Sequence, residues 1–271
     1  MEHPSPMTTK PTALILQAYG TNRDQDAAEA LSLAVADPVL VPLNHLRLGK
    51  RHFLDFQLLV VPGGFSYADA LGAGKLLALD LKAYFADEIR AFVESGRPVI
   101  GICNGFQALV KAGILPGNRE QGMESSDATA TLTFNAKGHF ECRWVSLRPV
   151  SQNCIWTKGL SETIESPIAH AEGNFQTSDQ SLLSALSSLN QIALTYAHPD
   201  GSPANGEYPT NPNGSLLDIA GLCNPAGNVL GLMPHPENHI HPHQHPRWTR
   251  GLTMGSGLPL FRNGVKYAEA L

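Results

Sequence analysis

The clearest chemical signal in the sequence is a cysteine between two glycines. The apolar residues 98–102 lead into Cys103, with Gly101 two residues before it and Gly105 two residues after it, and a helical pattern follows. A strand, a Gly-x-nucleophile-x-Gly turn and a helix make a nucleophile elbow, which exposes the nucleophile at the end of a sheet. The free N–H groups at the start of the helix favour a thiolate over a thiol. The pattern therefore predicts that Cys103 is a nucleophile.

The other three cysteines have no such context. Cys142, Cys154 and Cys223 lie outside any Gly-x-Cys-x-Gly stretch, and no two cysteines form a CxxC pair. Free cysteines are among the most buried residue types, so we expect these three to be buried structural residues. A chain of this size needs no disulfide framework, and a reducing, cytoplasmic setting is the expectation.

A histidine and a glutamate near residue 235 could activate this cysteine. A cysteine nucleophile needs a base or an imidazolium, itself oriented by a third group. His235 follows an apolar run and lies between two prolines, and Glu237 is two residues further on. In an extended segment, residues two apart project to the same side, so the carboxylate could hold one ring nitrogen and leave the other for the sulfur. The sequence thus predicts a Cys103, His235 and Glu237 triad.

Four further histidines crowd residues 239–245 and are interleaved with a proline. A histidine-rich tract can bind a metal ion, and that alternative stays open. However, no acidic or cysteine ligand completes a preferred zinc spacing. We expect an exposed, proline-stiffened loop and assign no metal and no cofactor to this chain.

The elements around these residues predict an α/β fold. In the first half, apolar runs alternate with helical patterns, which is typical of a parallel sheet covered on both faces. The predicted strands lie at 13–16, 39–41, 58–61, 98–102, 130–134, 140–147, 192–197, 216–223 and 229–233. The predicted helices lie at 24–36, 75–95 and 106–112. We expect a doubly wound, mostly parallel sheet with flanking helices and a β-hairpin over 216–233 that delivers His235.

The domain prediction is an extended or disordered tail over 1–10 and a single domain over 11–271. Long surface loops are expected at 116–128 and 199–214, and both are candidates for a protein interface.

Composition excludes several classes of protein. The 271 residues have a formal net charge of −5 and no run of Lys or Arg that would suit a phosphate backbone, which argues against nucleic acid as a partner. No apolar run approaches the length of a membrane span, and the first residues do not resemble a signal peptide. Residues 72–75 are too short to form a P-loop, and there is no Rossmann glycine pattern.

Five segments carry a resemblance to a known family. They are PGGFSYAD at 62–69, GICNGFQ at 101–107, PIAHAEG at 167–173, NPNGS at 211–215 and MPHPE at 233–237. The elbow and the late His-Pro-Glu resemble the class I, or triad, glutamine amidotransferases. Together, and in this order, the segments look like the family of glutaminase subunits of phosphoribosylformylglycinamidine synthase. The resemblance covers about residues 13 to 240.

The resemblance implies that the chain hydrolyses glutamine and passes ammonia to a synthetase subunit, with a small accessory subunit in the complex. That partner would use ATP and magnesium to convert formylglycinamide ribonucleotide to its amidine. An elbow supplies the backbone N–H of the residue after the nucleophile, Asn104, to an oxyanion. The resemblance adds the N–H of Gly64 and a glutamine contact from Gln107. One departure is Ala68, where the family usually has Gly, and we expect only a local shift there.

Two other interpretations of the sequence remain. A stand-alone γ-glutamyl hydrolase or cysteine peptidase would share Cys103 and His235 without a partner. A non-catalytic regulatory module would be expected to have lost the triad, which is present. His170 and Glu172 are open as neighbours of the site or as structural residues.

Overall fold

The computed structural model describes residues 10–117, 130–251 and 254–271. Its eleven strands are β1 Thr12–Gln17, β2 Asp37–Pro42, β3 Leu58–Val61, β4 Val99–Ile102, β5 Thr131–Thr133, β6 Glu141–Pro149, β7 Ile164–His170, β8 Asn174–Gln176, β9 Ile192–Ala197, β10 Ile219–Cys223 and β11 Val229–Leu232. Nine of these form one sheet in the order β2-β1-β3-β4-β11-β10-β9-β6-β7, and β5 pairs with β8 in a separate two-stranded sheet.

The large sheet has a parallel half and an antiparallel half. β2, β1, β3, β4 and β11 pair in parallel, whereas β10, β9, β6 and β7 continue the sheet through antiparallel pairs. Only β10 and β6 run against the other seven strands, so the predicted mostly parallel sheet is confirmed. The predicted hairpin is also confirmed, because β10 pairs with β11.

Helices flank this sheet. They are α1 Asp24–Leu33, α2 Leu43–Arg47, α3 Lys75–Tyr84, α4 Ala86–Glu94, α5 Asn104–Lys111, α6 Gln180–Ser188 and α7 Leu258–Ala268. α5 packs on β4 and β11, and α3 packs on α5, while α1 contacts α7, β1 and β2. All four residues of β3 and all four of β4 are buried, as expected for strands covered on both faces.

The single helix predicted over 75–95 is wrong in one respect, because it is broken at Phe85. This residue ends α3 and begins α4 with φ −128°, outside the helical range. Its ring is buried and packs against Phe53 with ring centroids 5.5 Å apart. The heptad-like apolar pattern runs through the break, so it cannot reveal a bend that a tertiary contact produces.

The strand predicted over 216–223 is wrong at its start. Leu216–Asp218 is a 3-10 turn in which Leu217 has φ 53°, and β10 begins only at Ile219. The residues at 130–134 do form a strand, but in the small sheet with β8. Sequence reasoning missed the two strands β7 and β8 and the helices α2, α6 and α7.

Some predictions fall outside the described residues. Positions 1–9 of the predicted tail and 118–128 of the first predicted loop lie there, so the domain boundaries stay a prediction. Residues 199–214 contain no helix and no strand, and a single bridge links Ala197 to Pro203. None of the helices within the described ranges is long and apolar enough to cross a membrane.

Candidate active site

Three neighbouring strands end at one edge of the sheet and bring the predicted residues together. β4 lies between β3 and β11, with Val61 opposite Gly101 and Leu232 opposite Ile102. The turn after β3 carries Gly63 and Gly64, Cys103 follows β4, and His235 comes three residues after β11. The Cys103 backbone N–H donates to the carbonyl of Leu232 at 2.7 Å, which joins Cys103 to the strand that precedes His235.

The elbow has the strained geometry that its glycines predict. Cys103 has φ 48° and ψ −104°, a conformation that a side chain rarely adopts, and α5 begins at the next residue. A Cβ at Gly105 would lie 1.9 Å from the carbonyl oxygen of Val61, and one at Gly101 would lie 2.4 Å from the side chain of Leu109. Both positions therefore require glycine, because α5 closes directly onto the ends of β3 and β4.

The structure places His235 and Glu237 in direct contact. The Nδ1 of His235 lies 2.7 Å from Oε1 of Glu237, and both side chains are buried. The extended geometry assumed for this pair is wrong, because Pro236–Asn238 forms a 3-10 turn. The turn nevertheless brings the carboxylate under the ring. The backbone N–H of His235 donates to the carbonyl of Pro167 at 2.9 Å and so fixes the segment on β7.

The electrostatics of this pair favour an imidazolium. Burial alone would lower the pKa of His235, but the charges of Glu237 and Cys103 and hydrogen bonds to both side chains outweigh it and raise the pKa from 6.5 to about 10. The ring is hydrogen-bonded to the carboxylate of Glu237, and the side chain of Cys103 lies near enough to raise the pKa of His235. The structure therefore brings Cys103, His235 and Glu237 together.

Two backbone N–H groups, one in the turn after β3 and one in the turn after β4, lack protein partners in the part of the chain that the structure describes. Within the described ranges, neither the N–H of Gly64 nor that of Asn104 donates to another protein group. Gly64 has φ 128°, and a Cβ there would lie 2.7 Å from the backbone nitrogen of Asn22. A Cβ at Gly63 would lie 2.7 Å from the ring of His235. The turn after β3 can therefore approach the site only because it has no side chains.

The side chain of Asn104 ties the elbow to the segment after Gly64. Its Oδ1 accepts hydrogen bonds from the N–H and the hydroxyl of Ser66, and its Nδ2 donates to Asp69 at 2.9 Å. In that segment Ala68 has φ 55°. A left-handed φ is where glycine is free of strain, so the departure from the family pattern at Ala68 has a local backbone cost.

Gln107 lies one turn into α5 and is buried. Its Nε2 donates to the carbonyl of Glu172 at 2.6 Å, and its Oε1 accepts from Asn104. The side chain of Glu172 accepts from the backbone N–H of Ala73. Residues 170–173 are thus brought against the elbow helix, and both open candidates, His170 and Glu172, are neighbours of the site.

Sequence reasoning missed the residues that hold this segment in place. Asn135 binds the carbonyls of His139 and His170. Asn213 donates to the carbonyl of Gly173 at 2.6 Å and to the hydroxyl of Tyr196 at 2.9 Å. The NPNGS segment was a usable signal for Asn213, whereas nothing near Asn135 pointed to a role.

The histidine tract differs from the exposed loop that we expected. His239 and His245 are buried, with the ring of Trp144 edge-on to both, although His243 is exposed. Nδ1 of His239 lies 2.6 Å from the carbonyl of Glu165. In the described ranges no group of three His, Cys, Asp or Glu side chains is placed to hold a metal ion. The tract therefore packs the turn that carries His235 and Glu237 against β7.

The remaining cysteines follow the expectation in two cases of three. Cys154 and Cys223 are buried, but Cys142 is exposed. Cys142 lies in β6, where alternate residues face opposite sides of the sheet. All four cysteines are free.

Comparisons with known proteins agree on one family. The model of the CobB/CobQ-like glutamine amidotransferase domain matches residues 10–268. A relative from Treponema denticola, named phosphoribosylformylglycinamidine synthase subunit PurQ, is 58% identical over 85% of this chain and 89% of its own. A relative of the same name from Dehalococcoides mccartyi is 42% identical over 96% of this chain and 99% of its own.

Solved structures give the same result. A chain in the structure of PurLQS from Thermotoga maritima is 30% identical, with a TM-score of 0.72, and the match covers 96% of this chain and 99% of that one. The glutaminase domain of the Trypanosoma brucei CTPS, solved with bound acivicin, shares the fold at 14% identity with a TM-score of 0.52. On the family model and on these relatives, the chain belongs to the CobB/CobQ-like glutamine amidotransferase family.

Proposed function

We propose that this chain is the glutaminase subunit of a phosphoribosylformylglycinamidine synthase. It hydrolyses glutamine to glutamate and ammonia and passes the ammonia to a synthetase subunit. The observation that carries the proposal is the strained Cys103 elbow beside the hydrogen-bonded His235–Glu237 pair. The names of relatives that cover almost the whole chain support the choice of complex.

The proposed reaction begins with attack of the Cys103 sulfur on the side-chain amide carbon of glutamine. The oxyanion that develops is bound by the N–H groups of Gly64 and Asn104, both without protein partners in the described ranges. His235, held as an imidazolium by Glu237, gives its proton to the nitrogen as the C–N bond breaks. Ammonia leaves and a thioester remains on Cys103.

The second half-reaction reverses the roles. His235, now neutral, takes a proton from water as the water attacks the thioester, and glutamate leaves. Gln107 lies one turn after Cys103 in the same helix, and its side chain is proposed to contact the bound glutamine, giving up one of its hydrogen bonds to Asn104 or Glu172. The reaction needs no cofactor from this chain, and ATP and magnesium are proposed to act in the synthetase subunit.

The proposed partners follow from the relatives. The structure that matches over 99% of its chain is of PurLQS, so we propose a complex of this chain with a synthetase subunit and a small accessory subunit. The loop at 199–214 stays a candidate for the interface. We place the reaction in the cytoplasm, since all four cysteines are free and a reducing compartment keeps them so.

The test is Cys103→Ala in the assembled enzyme. We expect glutamine-dependent amidine synthesis to be abolished, while synthesis from added ammonium salt stays at the wild-type rate. Cys142→Ala, at an exposed cysteine, is the matched control and keeps both activities. A Cys103→Ala enzyme that still hydrolyses glutamine at the wild-type rate contradicts the proposal.

The alternative of a stand-alone γ-glutamyl hydrolase is tested by the isolated chain. A glutaminase that feeds a synthetase is expected to be nearly idle alone and to gain activity when the synthetase subunit is added. Full activity of the isolated chain, unchanged by the synthetase, favours the hydrolase.

A further inference from the structure

Helix α3 carries an apolar side chain on a face that nothing in the described ranges covers. The helix packs on α5 and buries Leu77, Ala78 and Leu81. Leu79 lies on another face and is 59% exposed, and Leu71, just before the helix, is 76% exposed. The neighbouring α4 exposes no large apolar side chain. Exposed apolar side chains that cluster, rather than occur singly, indicate a surface that binds a partner.

Leu79 stands between two grooves. The first has a volume of about 710 Å³, lies between α3 and β5, and is lined by Leu71, Leu79 and the 68% exposed Phe134. The second has a volume of about 330 Å³, lies between α3 and α2, and is lined by Leu79, Tyr19 and Tyr84. Because Leu79 lines both grooves, these five exposed side chains form one continuous surface, which we call the α3 surface.

The unpaired charges of the α3 surface are positive. Lys75 and Lys82 line the first groove, four residues before and three residues after Leu79, so the three side chains share one face of the helix. Arg47 lines the second groove, with its guanidinium carbon 3.9 Å from the ring centroid of Tyr84. In the described ranges none of these three cations pairs with a carboxylate. The chain as a whole has a formal net charge of −5, so this local excess of positive charge favours a partner that supplies carboxylates.

Two carboxylates also line the grooves, but both have partners within the chain. Asp80 accepts a hydrogen bond from the hydroxyl of Tyr67 at 2.5 Å, and Glu172 accepts one from the backbone N–H of Ala73. The carbonyl of Glu172 in turn accepts from Gln107, so one wall of the first groove is attached to the helix of the elbow. Ammonia has to cross from that site to the synthetase, and an interface beside the site shortens its path.

Resting on the proposed function, we propose that the α3 surface binds the synthetase subunit. The segment that it binds carries apolar side chains for the two grooves and carboxylates for Lys75, Lys82 and Arg47. Tyrosine and arginine, which line the second groove, are enriched among the residues that contribute most to protein interfaces. A second copy of this chain fits less well, because a symmetric contact would bring the same three cations against their own copies.

The first test is Leu79→Asp, with binding to the synthetase and accessory subunits measured by titration calorimetry. A charge placed between the two grooves is expected to raise Kd about 10- to 100-fold. Glutamine-dependent amidine synthesis is expected to fall at low subunit concentration and to recover with excess synthetase, while synthesis from ammonium salt is unchanged. The matched control is Leu189→Asp, at an exposed leucine that ends α6, and it keeps the wild-type Kd. The melting temperature of the isolated chain is expected to be the same in both variants, because both side chains are exposed.

The second test reverses the charges and leaves the apolar side chains in place. Lys75→Glu combined with Lys82→Glu is expected to raise Kd about 3- to 10-fold at low salt. Wild-type affinity is expected to fall as salt is added, whereas the affinity of this double variant changes little, because the screened attraction is already lost. Lys158→Glu combined with Lys266→Glu, at exposed lysines elsewhere, is the control and keeps the wild-type salt dependence.

Three results overturn the inference. They are an unchanged Kd in Leu79→Asp, a loss of affinity in Leu189→Asp as large as that in Leu79→Asp, and an unchanged Kd and salt dependence in the double lysine variant. The lysine variant decides alone if Leu79→Asp fails to fold. Sedimentation of the isolated chain tests the other occupant, because a wild-type dimer that Leu79→Asp dissociates would assign the surface to a second copy and overturn the inference. The proposed function fails separately, if the wild-type complex forms but makes no amidine from glutamine.

Discussion

The carboxylate of Glu237 is expected to decide the protonation state of the site. In Glu237→Gln the side chain keeps its size and can still accept a hydrogen bond from His235, but its charge is gone. The charge of Glu237 is the largest of the causes that raise the pKa of His235. Without it, burial dominates, and the pKa of His235 falls.

The magnitude follows from the structure. The rise of the His235 pKa from 6.5 to about 10 corresponds to about 5 kcal/mol in favour of the imidazolium. A folded-state pKa above the unfolded value stabilises the fold fully below pH 6.5, and this contribution is lost as pH rises towards 10. Glu237→Gln is therefore expected to flatten the dependence of unfolding free energy on pH between 6.5 and 10. It also removes the proton that the departing ammonia needs, and kcat for glutamine at pH 7.5 is expected to fall about 100- to 10,000-fold.

The assay measures kcat/KM for glutamine in the assembled enzyme from pH 6 to 10.5. The wild type is expected to lose activity near pH 10, as His235 loses its proton, and the variant is expected to lose its residual activity at lower pH. Glu94→Gln, at an exposed glutamate of α4, is the matched control. A Glu237→Gln enzyme with the wild-type rate and the same alkaline limb would refute this account of the pair.

Two further perturbations separate the architecture of the site from its chemistry. Gly105→Ala is expected to lower the unfolding free energy by about 1–3 kcal/mol and to abolish glutaminase activity, because the new methyl group meets the carbonyl of Val61. Denaturant titration measures the loss of stability, with Ser184→Ala on an exposed helix face as the control. An unchanged denaturation midpoint in Gly105→Ala contradicts the prediction. A chelator is expected to leave the melting temperature of the isolated chain unchanged, since no described group of side chains is placed to hold a metal ion. A lower melting temperature in the chelator would instead indicate that the histidines at 239–245 bind a metal ion.

The local geometry around Cys103 could be predicted because its signals lie close together in the sequence. The glycines around Cys103 are required by contacts within one strand, one turn and one helix, and the strain at Cys103 is a property of that turn. The short polar segment after an apolar run also indicated that His235 and Glu237 lie close together, although the segment was expected to be extended and forms a 3-10 turn. The parallel half of the sheet was predictable for the same reason, since each buried strand is a continuous apolar run.

What the sequence could not supply are contacts between distant segments. Phe85 breaks a helix because its ring packs on Phe53, and no local pattern marks that break. His239 is buried because β7 and Trp144 cover it, although a tract of histidines and prolines is typical of an exposed loop. His170 and Asn135 are 35 residues apart and meet only in the folded chain. The same long-range packing buries Asn135, which no sequence pattern indicated, against the carbonyl of His170.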